Sequence, residues 1–494
     1  MLFSICNLRF VTICLSLLLC HLFTASGQNA DKHFEKRIIA EGLSDPWNII
    51  YGPDDHLWIN EAKGYRVLKV NPANGNTDVL LDLNSEKTFP RYDTLNDSID
   101  GKKPWPQGGL MGMALHPALL SGKPYVYLAY VYDFEGKESA GDGHDPKDGG
   151  FHFKTKIVRY TYEKNSNKLL DPLTICDSIS GSNDHNGGRL AISKIDGKEY
   201  LFYSVGDLGA GQFTNAGRAN HAQDLRYYEG KILRFNTEPD ESRQTADKWV
   251  PKDNPFNSGL PNAVWSLGHR NPQGLTSATI NGKEIMYSSE HGPFSDDEVN
   301  IIKKGSNYGH PLIIGFADGN YNGLSAGVTE KDSLPGIWNT TYPLIENEQL
   351  NASKLKNYEN PVKSFNPTEN SALKKVLETS RSGNEKKVEW KSIAPSGICS
   401  YTSDFIPEWK NSLLITSLKQ GKLIRLKLNA TGDKVIDEKE YFKAPVRYRD
   451  VAVSKDGKRI YLVTDNSAVT SGPTQEKPKD ISDQGAIIEY TYVP

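Results

Sequence analysis

The chain repeats itself loosely six times, and this repetition leaves few folds open to it. Each unit opens with an apolar strand introduced by polar or Gly/Pro residues. These openings are Asp45-Pro46-Trp47, Gln107-Gly108-Gly109-Leu110, Asn186-Gly187-Gly188-Arg189, Asn271-Pro272-Gln273-Gly274, Ala394-Pro395-Ser396-Gly397 and Arg447-Tyr448-Arg449-Asp450. A turn follows, often Asp-Gly-Lys or Asn-Gly-Lys, and then a second apolar strand, at 56–61, 124–132, 199–205, 283–290, 412–417 and 459–464. A third strand lies at 65–70, 156–162, 231–235, 298–303, 422–428 and 486–490. Short β-branched and aromatic strands between Gly, Asn and Asp turns are all-β signals. One such unit cannot bury its own faces, but six around an axis bury one another's. The predicted fold is all-β: a six-bladed β-propeller of four-stranded antiparallel blades, with long loop insertions. A pair of β-sandwiches is the competing architecture. Residues 36–41, ahead of the first unit, are expected to supply the outer strand of the last blade and close the ring.

The 494 residues are 37% hydrophobic, enough for a large core. With a net charge of −3, nothing calls for nucleic acid or an anionic membrane as partner. Arg9 precedes an apolar run from Phe10 to Leu22, and Ala25-Ser26-Gly27 follows as a small-residue cleavage pattern. Residues 1–27 therefore read as a secretory signal peptide and 28–494 as a single propeller domain, exported to the periplasm or secreted. An uncleaved anchor, or a lipid on Cys20, is the alternative. No other stretch is apolar enough for stable membrane insertion. Cys6, Cys14 and Cys20 belong to the signal, so Cys176 and Cys399 could form one bridge at most. Two insertions interrupt the repeat, at about 314–389 and at 133–150. Long loops on a rigid scaffold often carry binding function; surface decoration is the plainer reading.

Antiparallel neighbours put the start of each first strand and the end of each second strand at one end of the channel. Gln107, Asp184, His185, Arg189, Arg270, Asn271, Ser396, Arg447, Arg449 and Asp450 occupy the starts. Asp207, His291-Gly292-Pro293, Lys419 and Asp465 occupy the ends. Solvated rim charge accounts for some of this, but not readily for Arg270, Lys419, Arg447 and Arg449 around one mouth. Such cations suit a small anion with several carboxylates or phosphates. No Gly-rich loop opens a helix, which disfavours a nucleotide. A lone histidine is more often structural than catalytic. His185, however, has Asp184 beside it and Asp207 on the returning strand, and a carboxylate on one imidazole nitrogen frees the other to take a proton. The turn at Gly292-Pro293, followed by Ser295-Asp296-Asp297-Glu298, offers hard oxygen ligands suited to Ca²⁺, or else is a turn with a solvated acidic patch.

The run Leu267-Gly268-His269-Arg270-Asn271-Pro272-Gln273-Gly274 resembles the hallmark of soluble quinoprotein glucose dehydrogenases and aldose sugar dehydrogenases. So do 290–298, the Gly305-Ser306-Asn307-Tyr308-Gly309 motif, Asp184-His185, Gly206-Asp207, Ser417-Leu418-Lys419 and 447–450, all in the same order. The similarity runs from about Lys36 to the C-terminus and is weak across the two insertions. It implies a six-bladed propeller whose cofactor is pyrroloquinoline quinone (PQQ), a planar tricarboxylate. By resemblance, Lys419, Arg447 and Arg449 bind the cofactor carboxylates, and Gln107 and Asn271 hydrogen-bond its oxygens. Arg270 sits by the reactive quinone carbonyl, Trp390 and Ser392 line the cofactor, and Asp184 and His291 fall among the same positions. The carbonyls of Gly292 and Pro293 hold a Ca²⁺. His185, oriented by Asp207, is the base, and Gln212 lies near the sugar. A second calcium would use Asp297, Glu298, Asp318 and the carbonyls of Tyr308, Ile314 and Phe316, and a homodimer is compatible with it.

The implied reaction oxidises the anomeric hydroxyl of an aldose to the lactone and hands electrons to an external acceptor: a quinone, a small redox protein or a dye. His291 stands where the glucose dehydrogenase branch has Gln, and the cysteine pair of that branch before Trp390 is missing, so glucose specificity does not carry over. Two other readings compete. A calcium-dependent lactonase-like hydrolase would need side-chain carboxylates and amides around an axial metal. A non-catalytic extracellular binding propeller would be expected to lose His185 or the cations.

Overall fold

Among the described residues of the computed structural model, 24 strands form six four-stranded antiparallel sheets. The structure describes residues 31–91, 105–137, 150–243, 246–329, 334–382, 389–467 and 480–494, with 472, 473 and 477. The expected signal peptide, most of 133–150 and the segment just before Trp390 lie outside them.

Each sheet is one predicted blade. Blade 3, for example, runs Leu190–Ile195, Lys198–Val205, Lys231–Asn236 and Val264–Leu267. The last blade comprises Tyr448–Val453, Arg459–Thr464, Ile487–Tyr492 and, as outermost strand, Phe34–Ala40 from the chain's beginning. That strand pairs antiparallel with Ile487–Tyr492, Lys36 opposite Tyr490 and Ile38 opposite Ile488, so the ring closes as expected. The N-terminal segment thereby fastens the last blade to the other end of the chain.

Strand alternation sends one set of apolar residues to each blade face, and every interface between neighbouring blades holds its own apolar cluster. Trp47, Trp58 and Val67 of blade 1 pack with Met113, Leu128 and Val158 of blade 2. Phe202, Ile232 and Trp265 of blade 3 pack with Leu275 and Met286 of blade 4. Leu57, Ile59 and Leu68 of blade 1 meet Tyr461, Val463 and Ile487 of blade 6. At roughly 25 cal/mol per Å² of apolar area buried, these six seams are the main source of stability.

The channel itself is polar. Asp450 accepts hydrogen bonds from Asn48 Nδ2 and Arg189 Nη1, each at 2.7 Å. This buried pair joins blades 1, 3 and 6 across the axis, so Arg189 and Asp450 are channel ties rather than mouth residues. Cys176 and Cys399 lie on blades 2 and 5 as free thiols, both pushed up to about 12 by burial. No helix of the described residues is long and apolar enough to cross a membrane.

The 314–389 region is more ordered than its weak periodicity promised. It contains helix α1 (Glu348–Lys354), the fourth strand of blade 4 (Lys363–Phe365) and helix α2 (Asn370–Arg381). Asn347 caps α1 by accepting from Leu350 N at 2.7 Å. α2 buries Leu373 and Leu377, four residues apart, in a separate cluster with Phe294, Ile314, Tyr321, Trp338 and Tyr342. Leu373, Val376 and Leu377 mark one turn of an apolar helix face, but a single short helix and a three-residue strand do not extend the sixfold pattern.

Candidate active site

The loop between the last strand of blade 2 and the first of blade 3 carries the central histidine. His185 has φ +49°, a left-handed conformation that costs a non-glycine residue about 1 kcal/mol. Its carbonyl lies against Gly206, where an added Cβ would stand 2.0 Å from His185 O. Gly206 therefore lets the two loops stack, and the Asp207 side chain arrives under the ring. His185 Nδ1 is 2.8 Å from Asp207 Oδ1. Both side chains are buried, at 6% and 1% exposure.

Asp207 is a saturated acceptor. Oδ1 also takes Gly209 N at 3.0 Å, and Oδ2 takes His310 Nε2 at 2.9 Å, Tyr342 Oη at 2.8 Å and Asn220 Nδ2 at 3.2 Å. Burial opposes its ionisation, but the His185 and His310 rings outweigh burial and hold the carboxyl well below its usual range. An ionised Asp207 fixes the proton of His185 on Nδ1 and leaves Nε2 as the lone pair facing the mouth. Gln212 Nε2 donates to it at 3.2 Å, and Gln212 Oε1 accepts from Arg270 Nη2 at 3.0 Å. Asp184 lies 3.6 Å from the same imidazole nitrogen and accepts from Gln107 Nε2 at 3.4 Å. Gln107 Oε1 and Asn271 Oδ1 bind the backbone N–H of Asn186 and Gly187, at 3.1 Å each, and so hold the loop from two neighbouring blades.

On the far side stand the cations. Arg447 and Arg449 share one carboxylate, Asp465, at 3.1 and 2.6 Å. Arg449 also lies 4.4 Å over the Trp47 ring and donates to Gln273 Oε1 at 2.9 Å. Lys419 Nζ donates to Trp390 O at 2.6 Å and lies 4.0 Å over the Trp390 ring. Burial lowers its pKa, offset in part by Asp297 and Glu389. Among the described residues, neither Lys419 nor Arg270 forms an ion pair, and Arg270 Nε is buried without a partner. His291 is held well below its usual range, by burial first and then by Arg270, His185, Arg449 and Arg447; its Nε2 also lacks a partner. The mouth thus has positive charge and donors in excess of its own acceptors.

The Gly292-Pro293 turn sits beside them. Arg270 Nη1 donates to His291 O at 3.1 Å. Asp297 does not face the turn's carbonyls. It accepts Gly292 N at 3.0 Å, Ser392 Oγ at 2.6 Å, Ile393 N at 2.8 Å and Ala394 N at 3.2 Å, tying the turn to the start of blade 5. Ser392 accordingly spends its hydroxyl on Asp297. Among the described residues no donor meets the oxygens of Gly292 and Pro293. A Cβ on Gly292 would come within 1.9 Å of Ser295 O, so this turn requires glycine.

Two regions of the chain match the family model for glucose and sorbosone dehydrogenases, residues 43–342 and 337–470. The chain belongs to that family. It is 31% identical over 484 residues to quinoprotein glucose dehydrogenase B of Acinetobacter calcoaceticus, covering 93% of this chain and 91% of that one. The aldose sugar dehydrogenase of Escherichia coli is 26% identical over 437 residues, covering 87% and 90%. A PQQ-bound aldose sugar dehydrogenase from Streptomyces coelicolor shares the fold, with a TM-score of 0.58 at 22% identity over 93% of this chain and 98% of that one.

The dehydrogenase gathers most of the predicted residues at one mouth, and two that sequence reading missed. His310 and Tyr342 both reach Asp207, yet neither sits at a repeat position. The Gly305–Gly309 motif ends one residue before His310, which was the available signal. The residues expected around a second calcium divide. Asp297 is turned away, as described. Glu298 is buried and accepts Gly315 N at 2.8 Å, next to Ile314, while Phe316 and Asp318 are exposed. Tyr308 is buried, stacked on His269. Glu348, also missed, joins them: its carboxylate accepts Ile314 N at 3.0 Å and Gly319 N at 2.9 Å, and burial pushes it up to about 7.

Proposed function

We propose that the protein is a PQQ-dependent sugar dehydrogenase that oxidises the C1 hydroxyl of an aldose to the lactone and passes the electrons to an external acceptor. One observation carries this reading: a buried His–Asp pair with its Nε2 toward the mouth shares that mouth with two arginines on a single carboxylate and with Arg270 and Lys419, which form no ion pair among the described residues. The residues fit the cofactor by charge and by donor count. Lys419, Arg447 and Arg449 would hold its carboxylates, with Arg270, Gln107 and Asn271 toward its quinone edge. The open carbonyls of Gly292 and Pro293 are hard oxygens that suit Ca²⁺. When bound, PQQ supplies an electrophilic quinone carbon that accepts a hydride.

The chain's own residues do the rest. The sugar displaces the Gln212 amide from His185, so the anomeric hydroxyl meets the Nε2 lone pair. His185 takes that proton at Nε2, and Asp207 stabilises the resulting imidazolium through Nδ1–H. Arg270 brings fixed positive charge to oxygens that gain electron density. Gln212, released from His185, stays hydrogen-bonded to Arg270 and is free to orient the sugar. A second calcium fits less well: among the described residues no three Asp, Glu, His or Cys side chains converge where an ion could sit, so Glu298 and Asp318 do not form a ready site with the carbonyls of Ile314 and Phe316.

The test is reconstitution. Purified apoprotein should reduce a redox dye with an aldose only when PQQ and Ca²⁺ are both present. Inactivity across a panel of aldoses and alcohols under those conditions would falsify the reading.

A further inference from the structure

We infer that His310 and Tyr342 are positioning residues for the reaction: together they hold the Asp207 carboxylate so that His185 keeps its proton on Nδ1 and presents Nε2 as the base. The inference rests on the sugar-dehydrogenase reading above for its kinetic consequence, but its structural part can be read without turnover.

Three observations carry it. First, Asp207 is a buried ion, 1% exposed, and an ion in such a place must be surrounded by donors. His185 and Gly209 supply Oδ1, while Oδ2 depends on His310 Nε2 at 2.9 Å, Tyr342 Oη at 2.8 Å and the longer contact from Asn220. Second, the two rings do little else with their polar atoms. His310 is 4% exposed and its Nδ1 has no partner, and the Tyr342 hydroxyl bonds only to Asp207 among the described residues. An apolar ring would fill either space without the desolvation penalty of an unpaired nitrogen, so packing does not explain a histidine there. Third, both residues come from outside the blade that carries His185 and Asp207, and both are fixed from the rear. The His310 and Tyr342 rings meet edge to face at 5.6 Å. Thr340 Oγ1 donates to Gly211 O, and Thr341 Oγ1 to Arg218 O at 2.6 Å, clamping this segment onto the 207–218 loop.

The chemistry follows from the count of donors. With Oδ2 undersupplied, the buried carboxylate would be relieved by protonation: the pair takes up one proton from solvent at Nε2 and the Nδ1 proton passes to Asp207. The imidazole would then be neutral with its proton on Nε2, hydrogen-bonded through Nδ1 to a neutral acid, and could accept none from a substrate. Donors on Oδ2 remove that incentive and lock the carboxylate plane.

The test uses full-length protein. In ¹⁵N-histidine-labelled apoprotein, the His185 Nδ1–H signal should appear far downfield, identified by its loss in His185→Asn. In His310→Leu that signal should move upfield or broaden. In His310→Gln, whose amide can donate from nearly the same point, it should return. In reconstituted enzyme, His310→Leu should lower kcat about 10–100-fold, as loss of a supporting partner typically does, with KM and PQQ affinity little changed. His310→Gln should recover most of it. Tyr342→Phe removes one oxygen only and should act in the same direction, less than additively with His310→Leu because both hold one atom. An unshifted His185 signal in His310→Leu and Tyr342→Phe overturns the inference. So does equal kcat in the Leu and Gln variants, or a loss confined to KM or cofactor affinity. If wild-type protein is inactive, the sugar-dehydrogenase reading fails, and the NMR comparison alone decides the role of His310 and Tyr342.

Discussion

Lys419, Arg447 and Arg449 stand on blades 5 and 6 at positions the sixfold repeat dictates, whereas Asp207 on blade 3 is completed by His310 and Tyr342, which the repeat does not supply. The cationic side is built of strand ends and their own blade contacts: two arginines on one aspartate, and a lysine against the tryptophan before its blade. The base side is a loop with a left-handed histidine, a carboxylate under it, and rings from the 302–345 stretch of chain closing over the back. The two halves therefore divide the work. One provides long-range positive charge, which tolerates some displacement. The other provides a proton acceptor, whose hydrogen bonds must be correct to a few tenths of an ångström.

This division predicts separable failures. The largest effect belongs to His185→Ala, which should lower kcat about 10²–10⁴-fold while PQQ still titrates into the apoprotein with nearly wild-type affinity. If affinity collapsed as well, the halves would not be independent. Lys419→Met should do the converse. Loss of a charged hydrogen bond is worth about 1.5–3 kcal/mol, so PQQ binding should weaken roughly 10–150-fold, with kcat at saturating cofactor close to wild type. Equilibrium titration followed by turnover at saturation separates the two.

Calcium gives a smaller and more distributed effect. Without PQQ, Ca²⁺ at about 100 times its dissociation constant should stabilise the apoprotein by about 2.7 kcal/mol per site that binds only the folded chain. Glu348→Gln should lower the melting temperature by loosening the 314–321 backbone that its carboxylate holds, yet leave both the calcium-dependent stabilisation and the reconstitution of activity in place, as read by thermal unfolding and dye reduction on the same sample. The smallest effect is none: a reductant should leave the melting temperature unchanged, because Cys176 and Cys399 are unpaired on separate blades.

Much of the cationic half was legible beforehand because strand ends in a repeat are geometrically equivalent. Once six units were recognised, Arg447, Arg449 and Lys419 had to share an end of the channel with Arg270. His185 and Asp207 were legible for the same reason, being a strand start and a strand end of one unit. Ser392 was expected to line the cofactor and Asp297 to hold a second calcium; their bonds to each other and to Gly292 were not readable, because hydrogen-bond partners depend on rotamers. His310 was hidden in a stretch without alternation, and Tyr342 in a segment whose apolar residues follow neither strand nor helix period.

By itself, the sequence determined the blade number, the closing strand and the sign of charge at the mouth, since these follow from periodicity and composition along the chain. Only the tertiary structure decided which atoms face which. It paired Arg189 with Asp450 across the channel, set Asp297 against the Gly292 turn, and brought His310 and Tyr342 onto Asp207 from 103 and 135 residues away. The physical reason is that a buried ion must find donors wherever the fold delivers them, and local sequence carries no record of where that will be.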